Sequence, residues 1–551
     1  MVFWWYALYM FIKLNKSKNR TYVQLVQSYR ESGKTKHEVL FNFGSLDELQ
    51  QNPSLKSVAS KLLELAGVSS ALTTDISNEA EIFNWGYLVY KNLWERFDLE
   101  ATLTKIQIKD GKSQFNFNNA CFLMAIQHLL TPGSKLNAYG HQRHYAKLPE
   151  VNINHLYRSM DILCDNKEAI ETHLFNMNRD LFNMRVDVVF YDVTTFHFES
   201  TTKDSLKNFG FSKANKINEV QIVLGMLTDC EGRPIGYELF PGNTFEGKTL
   251  ETALNAIEKR FGIRNVIIVA DRGLNSKLNL KQIVDKGYGY IVAARIKSFK
   301  KEIQNEIFAD EGYKNLTTEE NVVRYKVIDY TNNIKCENKT VKLSEKLVAT
   351  FSEKRAAKDR KDRERLLDKA EFLLANKALI KSGNKRGGKK YLKEIGSTPD
   401  WVLDEEVLAR DKKFDGYYAI QTSEQNLDVE SILDAYHTLW RIEESFRIMK
   451  STLEVRPIFH WTPNRIKGHF VICFLSFLLE RTLEFKLHEN QIQATPDKIR
   501  EAINAMQFAA IEFNEQNLFV KTKGTELGSK ILRTLRIQPP KNVTSIAEFN
   551  C

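Results

Sequence analysis

Between Val186 and Arg295 the chain alternates, in one fixed order, between short β-branched and aromatic runs and runs of helical period. Val186-Asp-Val-Val-Phe-Tyr-Asp-Val-Thr-Thr-Phe-His-Phe198 predicts a central strand, because such side chains fit a pleated sheet. Strand candidates follow at 219–228 and 233–240, the second ending in Pro241-Gly-Asn-Thr244. A helix with Thr244 near its N-cap is expected to run to about Arg260. Next come the strand Asn265-Val-Ile-Ile-Val-Ala-Asp271, a helix around Asn279 to Lys286, and the strand Tyr290-Ile-Val-Ala-Ala-Arg295.

Three strands, a helix, a strand, a helix and a strand is the order of an RNase H-like α/β core. Two carboxylates stand at its centre. Asp192 interrupts the first strand, and Asp271 closes the fourth just before the turn signal Arg272-Gly273. Carboxylates in buried strands are costly unless neutralised, and a pair of divalent cations is the simplest partner.

A third carboxylate comes from a helix expected over about Asp428 to Ser451. Ile432, Tyr436, Leu439, Glu443, Phe446 and Lys450 are spaced alternately by four and three, which places them on one stripe. Glu443 and Lys450 on an otherwise apolar stripe are poorly explained by solubility. Glu444 is rotated by roughly 100° and falls on the polar flank. The competing reading pairs Glu443 and Lys450 with other side chains where the stripe leaves the core. Tyr436 equally fits a core aromatic. Asp192, Asp271 and Glu443 are the expected catalytic and metal-holding residues. Magnesium takes hard oxygen ligands, and two such ions about 3.5–4 Å apart serve phosphodiester chemistry.

The 551 residues predict several domains, and the formal net charge of +10 favours a polyanionic partner. Six cysteines form no CxxC pair, so neither a zinc site nor a disulfide framework is indicated, and a reducing cytoplasm fits. The apolar run Met1 to Ile12 is too short to span a bilayer and reads as a disordered or partly buried extension. Phe470 to Leu479 is also too short and reads as a core helix. Residues 1–185 are expected to form a basic hairpin at about 11–44, its strands flanking Glu31-Ser-Gly-Lys34, then helices; the basic face reads as a DNA-binding region or, alternatively, as a solvated hairpin surface. The core occupies 186–296 and 412–488, interrupted by an insertion at 297–411 whose charge run, Ser352 to Arg365, reads as a solvated helix or linker. The tail, 489–551, is expected to be helical.

With these residues in hand, the chain resembles bacterial DDE-type insertion-sequence transposases of the group with a Tyr-x2-Arg-x3-Glu-x6-Lys signature. Tyr436, Glu443 and Lys450 match it in register, while Leu439 stands at the arginine position with Arg441 nearby. The aspartate motifs resemble Tyr191-Asp-Val-Thr-Thr195 and Ala270-Asp-Arg-Gly273. Gly210-Phe-Ser-Lys213, Gln221 to Gly225, Gly236 to Thr244, Ser134-Lys-Leu136 and Arg456-Pro-Ile-Phe-His-Trp-Thr462 are similar too. The resemblance implies Mg²⁺-dependent cutting at transposon ends and joining of the 3′-hydroxyl to target DNA, with Mn²⁺ able to substitute. It implies double-stranded DNA (terminal inverted repeats and target) as partner, a homodimer in the DNA complex, no membrane span and a DNA-associated cytoplasmic location. It also assigns DNA contacts to Tyr436, Arg441, Arg447 and Lys450, and to the insertion. Alternatives on the same core are a metal-dependent nuclease without strand transfer and a DNA-binding derivative that has lost catalysis.

Overall fold

The computed structural model describes residues 9–17, 20–31, 34–66, 80–111, 113–182, 184, 186–210, 218–317, 322–336, 339–380, 387–395, 400–456, 458–513 and 516–549. Met1 to Leu8, Ser32-Gly33 and Phe211 to Lys213, which entered the sequence reading, lie outside them. Two compact units are present: residues 1–81 with 510–520 and 543–548, and residues 82–509 with 521–542 and 549–551.

In the first unit, Arg20–Glu31 pairs antiparallel with both Tyr9–Ser17 and Lys34–Ser45. The expected hairpin is therefore the larger part of a three-stranded sheet. Its extra strand begins within the run read as a disordered extension, where Met10, Ile12 and Leu14 alternate with Phe11 and Lys13. Lys13, Lys16, Arg20, Lys34 and Lys36 are exposed on it.

The second unit is built on a nine-stranded sheet. Its core is Pro234–Pro241, Gln221–Thr228, Val188–His197, Ile267–Ala270 and Gly289–Ala293, in that spatial order. Gln221–Thr228 runs antiparallel to both its neighbours, and the last two strands lie parallel to Val188–His197 and to each other. This is the RNase H-like α/β arrangement. One departure is the first crossover: the helix is Leu250–Lys259 with Thr249 at its N-cap, and Thr244 precedes a short 3₁₀ turn, Glu246–Lys248.

Strand period decides what each face does. Val189, Tyr191 and Val193 pack with Leu250, Leu254, Ile257, Leu280 and Ile283 of the two crossover helices. Phe190, Asp192, Thr194 and Phe196 therefore point to the opposite face. There Phe196 meets Phe470 edge-on, with ring centroids 5.2 Å apart. Phe470 belongs to Pro463–Glu489, a helix buried on nearly all sides, where Gly468 passes so close to the Met160 backbone that any Cβ would collide with it. Among the described residues no helix is long and apolar enough to cross a membrane.

The insertion does not stand apart from the sheet. Tyr417–Thr422 pairs with Gly289–Ala293, and Lys339–Phe351, Val322–Cys336 and Lys314–Thr317 follow outward. Glu345 ties the two parts, accepting from Tyr290, Asn332 and Gln421. The charge run is a helix, Glu353–Ala375, partly self-neutralised by Arg355–Asp359. The tail departs from the all-helical expectation: between helices Pro496–Asn504 and Glu526–Leu535 lie strands Gln507–Phe513 and Gln516–Lys521.

A buried acid in the long helix gives a pH prediction. Tyr90 donates to Glu480 at 2.5 Å, while burial first, then the Glu484 charge, push the Glu480 carboxyl from 4.5 up to about 8. The folded chain then keeps a proton that the unfolded chain has lost between those values, so this group's stability contribution falls as pH rises through that window. Glu480→Gln is expected to flatten the fall in melting temperature from pH 5 to 8. An unchanged slope would remove Glu480 as its source.

Candidate active site

Asp192 and Asp271 are brought together by strand register. Tyr191 is paired with Ala270 across two parallel strands, so the next residue on each, Asp192 and Asp271, stand side by side. Adjacent strands lie about 4.8 Å apart. Both aspartates leave the sheet on the face opposite the crossover helices, and both are half-buried. Asp271 Oδ1 accepts from the Gly273 amide at 2.6 Å and the Leu274 amide at 3.4 Å, which fixes the turn. Arg295 clamps that turn from outside, donating to the Arg272 carbonyl at 3.0 Å.

Glu443 arrives from above this face. The helix expected over 428–451 is broken in two, Val429–His437 and Trp440–Arg447, and ends in a π turn over Ile448–Thr452. Tight i→i+3 bonds at Leu439, Arg441 and Ile442 make the joint. The first piece packs over Ile267–Ala270 and Gly289–Ala293, and the second over Val188–His197. Ile432, Leu439 and Phe446 are buried as the stripe predicts, whereas Glu443 is exposed in the first turn of its helix. The inward stripe thus opens at Glu443 onto a solvent-facing site.

Tyr436 links the three elements. Burial raises its hydroxyl above the ordinary range; the hydrogen bond with Tyr418 opposes this, and the Asp271 and Glu443 charges add to it. One phenol thus feels both carboxylates. Lys450 donates to Thr194, two residues beyond Asp192 on the same face, with its ammonium 5.4 Å from the Phe196 ring. Glu444 turns away, pairing with Arg447 at 2.9 Å and Arg481 at 3.8 Å. Arg441 is held by Glu231. Arg441 and Arg447 therefore sit on the far flank, lining a cavity of about 810 Å³, apart from Tyr436 and Lys450.

A fourth carboxylate, Glu246, escaped the sequence reading. A Cβ placed on Gly273 would lie 2.9 Å from Asp271 Oδ1 and 3.1 Å from Glu246 Oε2. Both oxygens converge on the space that the missing side chain leaves, a cradle of hard donors that suits a divalent ion. The available signal was its place two residues beyond Thr244, in the turn that leads into the crossover helix.

Comparison with known proteins places this geometry. The IS1634 family transposase N-terminal domain matches residues 12–68, and the transposase DDE domain matches residues 185–479, more than half of the chain. The protein belongs to the DDE transposases. It is a DNA transposase, an enzyme of a family that works with divalent metal ions. Among solved structures it is similar to a piggyBac transposase synaptic complex with hairpin DNA, at TM-score 0.37 and 9% identity over 78% of this chain and 82% of that one. No protein of curated function matches.

Proposed function

We propose that Asp192, Asp271 and Glu443 hold two Mg²⁺ ions, with Mn²⁺ able to substitute, and that the enzyme cuts transposon ends and joins their 3′-hydroxyls to target DNA. The observation carrying this is the consecutive register of Asp192 and Asp271 on one sheet face, crossed by the Glu443 helix. Ions held by such oxygens supply the charge that activates a water or hydroxyl and stabilises the leaving oxygen. Glu246 adds a donor beside Asp271.

The chain's own residues orient the substrate. Lys450, fixed on Thr194, presents an ammonium to the phosphate beside Asp192. Tyr436, kept protonated, donates from the Asp271 and Glu443 side. Arg272 and Arg295 line a cavity of about 510 Å³ next to the Asp271 turn, where Lys297 and Arg355 are paired with Asp411 and Asp359, and the two arginines offer phosphate contacts towards the insertion. The exposed lysines of the N-terminal sheet supply further backbone contacts, and Arg447 and Arg441 meet DNA on the far flank. In this reading residues 1–185 and the insertion grip transposon ends, and two copies of the chain bring two ends together in the DNA-associated complex.

A strand-transfer assay with an end-bearing oligonucleotide tests the proposal. Joined products are expected; cleavage alone would indicate a nuclease, and binding alone an inactive derivative. Lys450→Ala and Tyr436→Phe should lose joining while end binding stays within a few-fold of wild type, because most affinity comes from distributed backbone contacts. Unimpaired joining by Lys450→Ala would remove its assigned role. With about six phosphates neutralised, affinity should fall roughly a thousandfold between 50 and 200 mM salt. A flat titration would mean that the positive charge is not gathered along DNA.

A further inference from the structure

Residues of two stretches unused by the catalytic reading, Ser134 and Lys135 of one and Arg456, Phe459 and His460 of the other, line one cavity of about 230 Å³ together with His128 and His469. Lys135 is only 3% exposed there. Among the described residues its ammonium meets one hydrogen-bond acceptor, His128 Nε2 at 2.9 Å, and no carboxylate. The other nitrogen of that ring lies 3.1 Å from the Leu453 carbonyl, so the ring donates there and offers its lone pair to the lysine. Burial pushes the Lys135 ammonium down to about 8 and the neighbouring Cys473 thiol up to about 12, so the thiol is no counter-ion. His460 and His469 are held neutral by burial and then by Lys135. Arg456 stands beside them, half-buried, and Glu454 is exposed at the rim; among the described residues neither forms an ion pair.

A buried ammonium without a counter-charge is expensive. An anion is the chemical class that would balance this charge. A metal is the other candidate, since His128, His469 and Cys473 offer ligand atoms within 4.8 Å of one another. The ammonium already lodged against His128 Nε2 opposes a divalent ion in that place.

We propose that this cavity receives a phosphate group of the bound DNA, held by Lys135 and Arg456 with His460 as a neutral donor. Its position suits that role, on the one assumption carried over from the proposed function, that DNA crosses Asp192 and Asp271. Phe470, next to His469, packs on Phe196, which lies four residues along the strand from Asp192, about 13 Å at strand rise. Lys207 joins the same region by donating to the Trp461 carbonyl at 3.1 Å. Phe459, 56% exposed at the cavity mouth, offers a ring face to an adjoining base.

The test uses the full chain in two arms. In the first, melting temperature is followed with inorganic phosphate replacing chloride at equal ionic strength. Wild type should rise in phosphate. Lys135→Met should lose that rise, whatever its melting temperature in chloride, where the gain from removing a buried charge is set against the loss of the donor to His128 Nε2. Arg456→Gln, a change at a half-buried site, should diminish the rise and serves if Lys135→Met fails to fold. In the second arm, the salt dependence of binding to a short duplex should become shallower by about 0.9 in log–log slope for Lys135→Met, the loss of one phosphate contact. No phosphate-dependent rise in wild type, a rise unchanged in both variants, or stoichiometric zinc in the purified protein would overturn the cavity's assignment. A rise that Lys135→Met abolishes without changing the duplex slope would assign the cavity to free phosphate and overturn the DNA contact. If wild-type duplex binding itself ignores salt, the DNA path of the proposed function fails, and the phosphate arm still decides the cavity.

Discussion

Asp192→Asn and Asp271→Asn are each expected to reduce end cleavage and joining by at least about a thousandfold, the upper range for losing one group that stabilises transition-state charge. Each substitution keeps the side-chain volume and removes the negative charge. Both leave the sheet on the face away from the crossover helices, and the amide keeps the Oδ1 acceptor that the Val193 and Gly273 amides use. Folding and end binding should therefore survive. Mn²⁺ titration by calorimetry separates the roles: heat of metal binding should fall in both variants while the melting temperature in metal-free buffer stays level. Retained metal binding together with lost activity would move these aspartates from metal ligands to another catalytic duty. Glu246→Gln should weaken Mn²⁺ binding less than either, because it approaches the Asp271 side alone.

The largest stability effect is expected at Arg233, at the hairpin joining the second and third core strands. Its side chain and that of Asp229 are almost wholly buried, 2% and 0% exposed, and joined at 2.8 Å. Asp229 also accepts from the Arg233 and Glu231 amides at 2.8 and 3.0 Å, and the guanidinium stacks 4.3 Å from the Phe485 ring centroid. Arg233→Met leaves a carboxylate buried without its counter-charge, which costs about 3–5 kcal/mol. Urea unfolding should show that loss, and adding Asp229→Leu should recover part of it by removing the stranded charge. A single variant as stable as wild type would mean that Asp229 is satisfied by its amide donors alone.

Much of the core was legible because strand and helix periods are local. In the run Val186 to Phe198 one face carries Val189, Tyr191 and Val193, and the other carries Val186, Val188, Phe190, Phe196 and Phe198, broken only by Asp192 and Thr194. That break is visible in the sequence; its cause, a helix crossing the face, is not. Pairing between distant segments is where local pattern stops. Lys339–Phe351 and Tyr417–Thr422 join across 65 intervening residues, so the insertion could be read as separate while its strands extend the core sheet. Glu246 was missed for the same reason: it reaches Asp271 through the closure of a crossover and has no periodic neighbour to mark it. The split of the glutamate helix at Thr438-Leu439 lacks proline or glycine and follows from packing two pieces on differently placed strands. The first residues of Tyr9–Ser17, up to Ile12, looked like a loose end because an edge strand with both faces open carries no buried stripe.

Glu443 and Glu444 offer the most direct test of the central claim, since they are neighbours with opposite surroundings. Glu443 opens toward Tyr436 and the aspartate face, whereas Glu444 is engaged by Arg447 and Arg481. Strand transfer should be measured in Mg²⁺ with an oligonucleotide taken from the DNA that flanks this gene. Glu443→Gln should yield no joined product, and Glu444→Gln should join at close to the wild-type rate. Joining by Glu443→Gln, with Glu444→Gln inactive, would contradict the assignment.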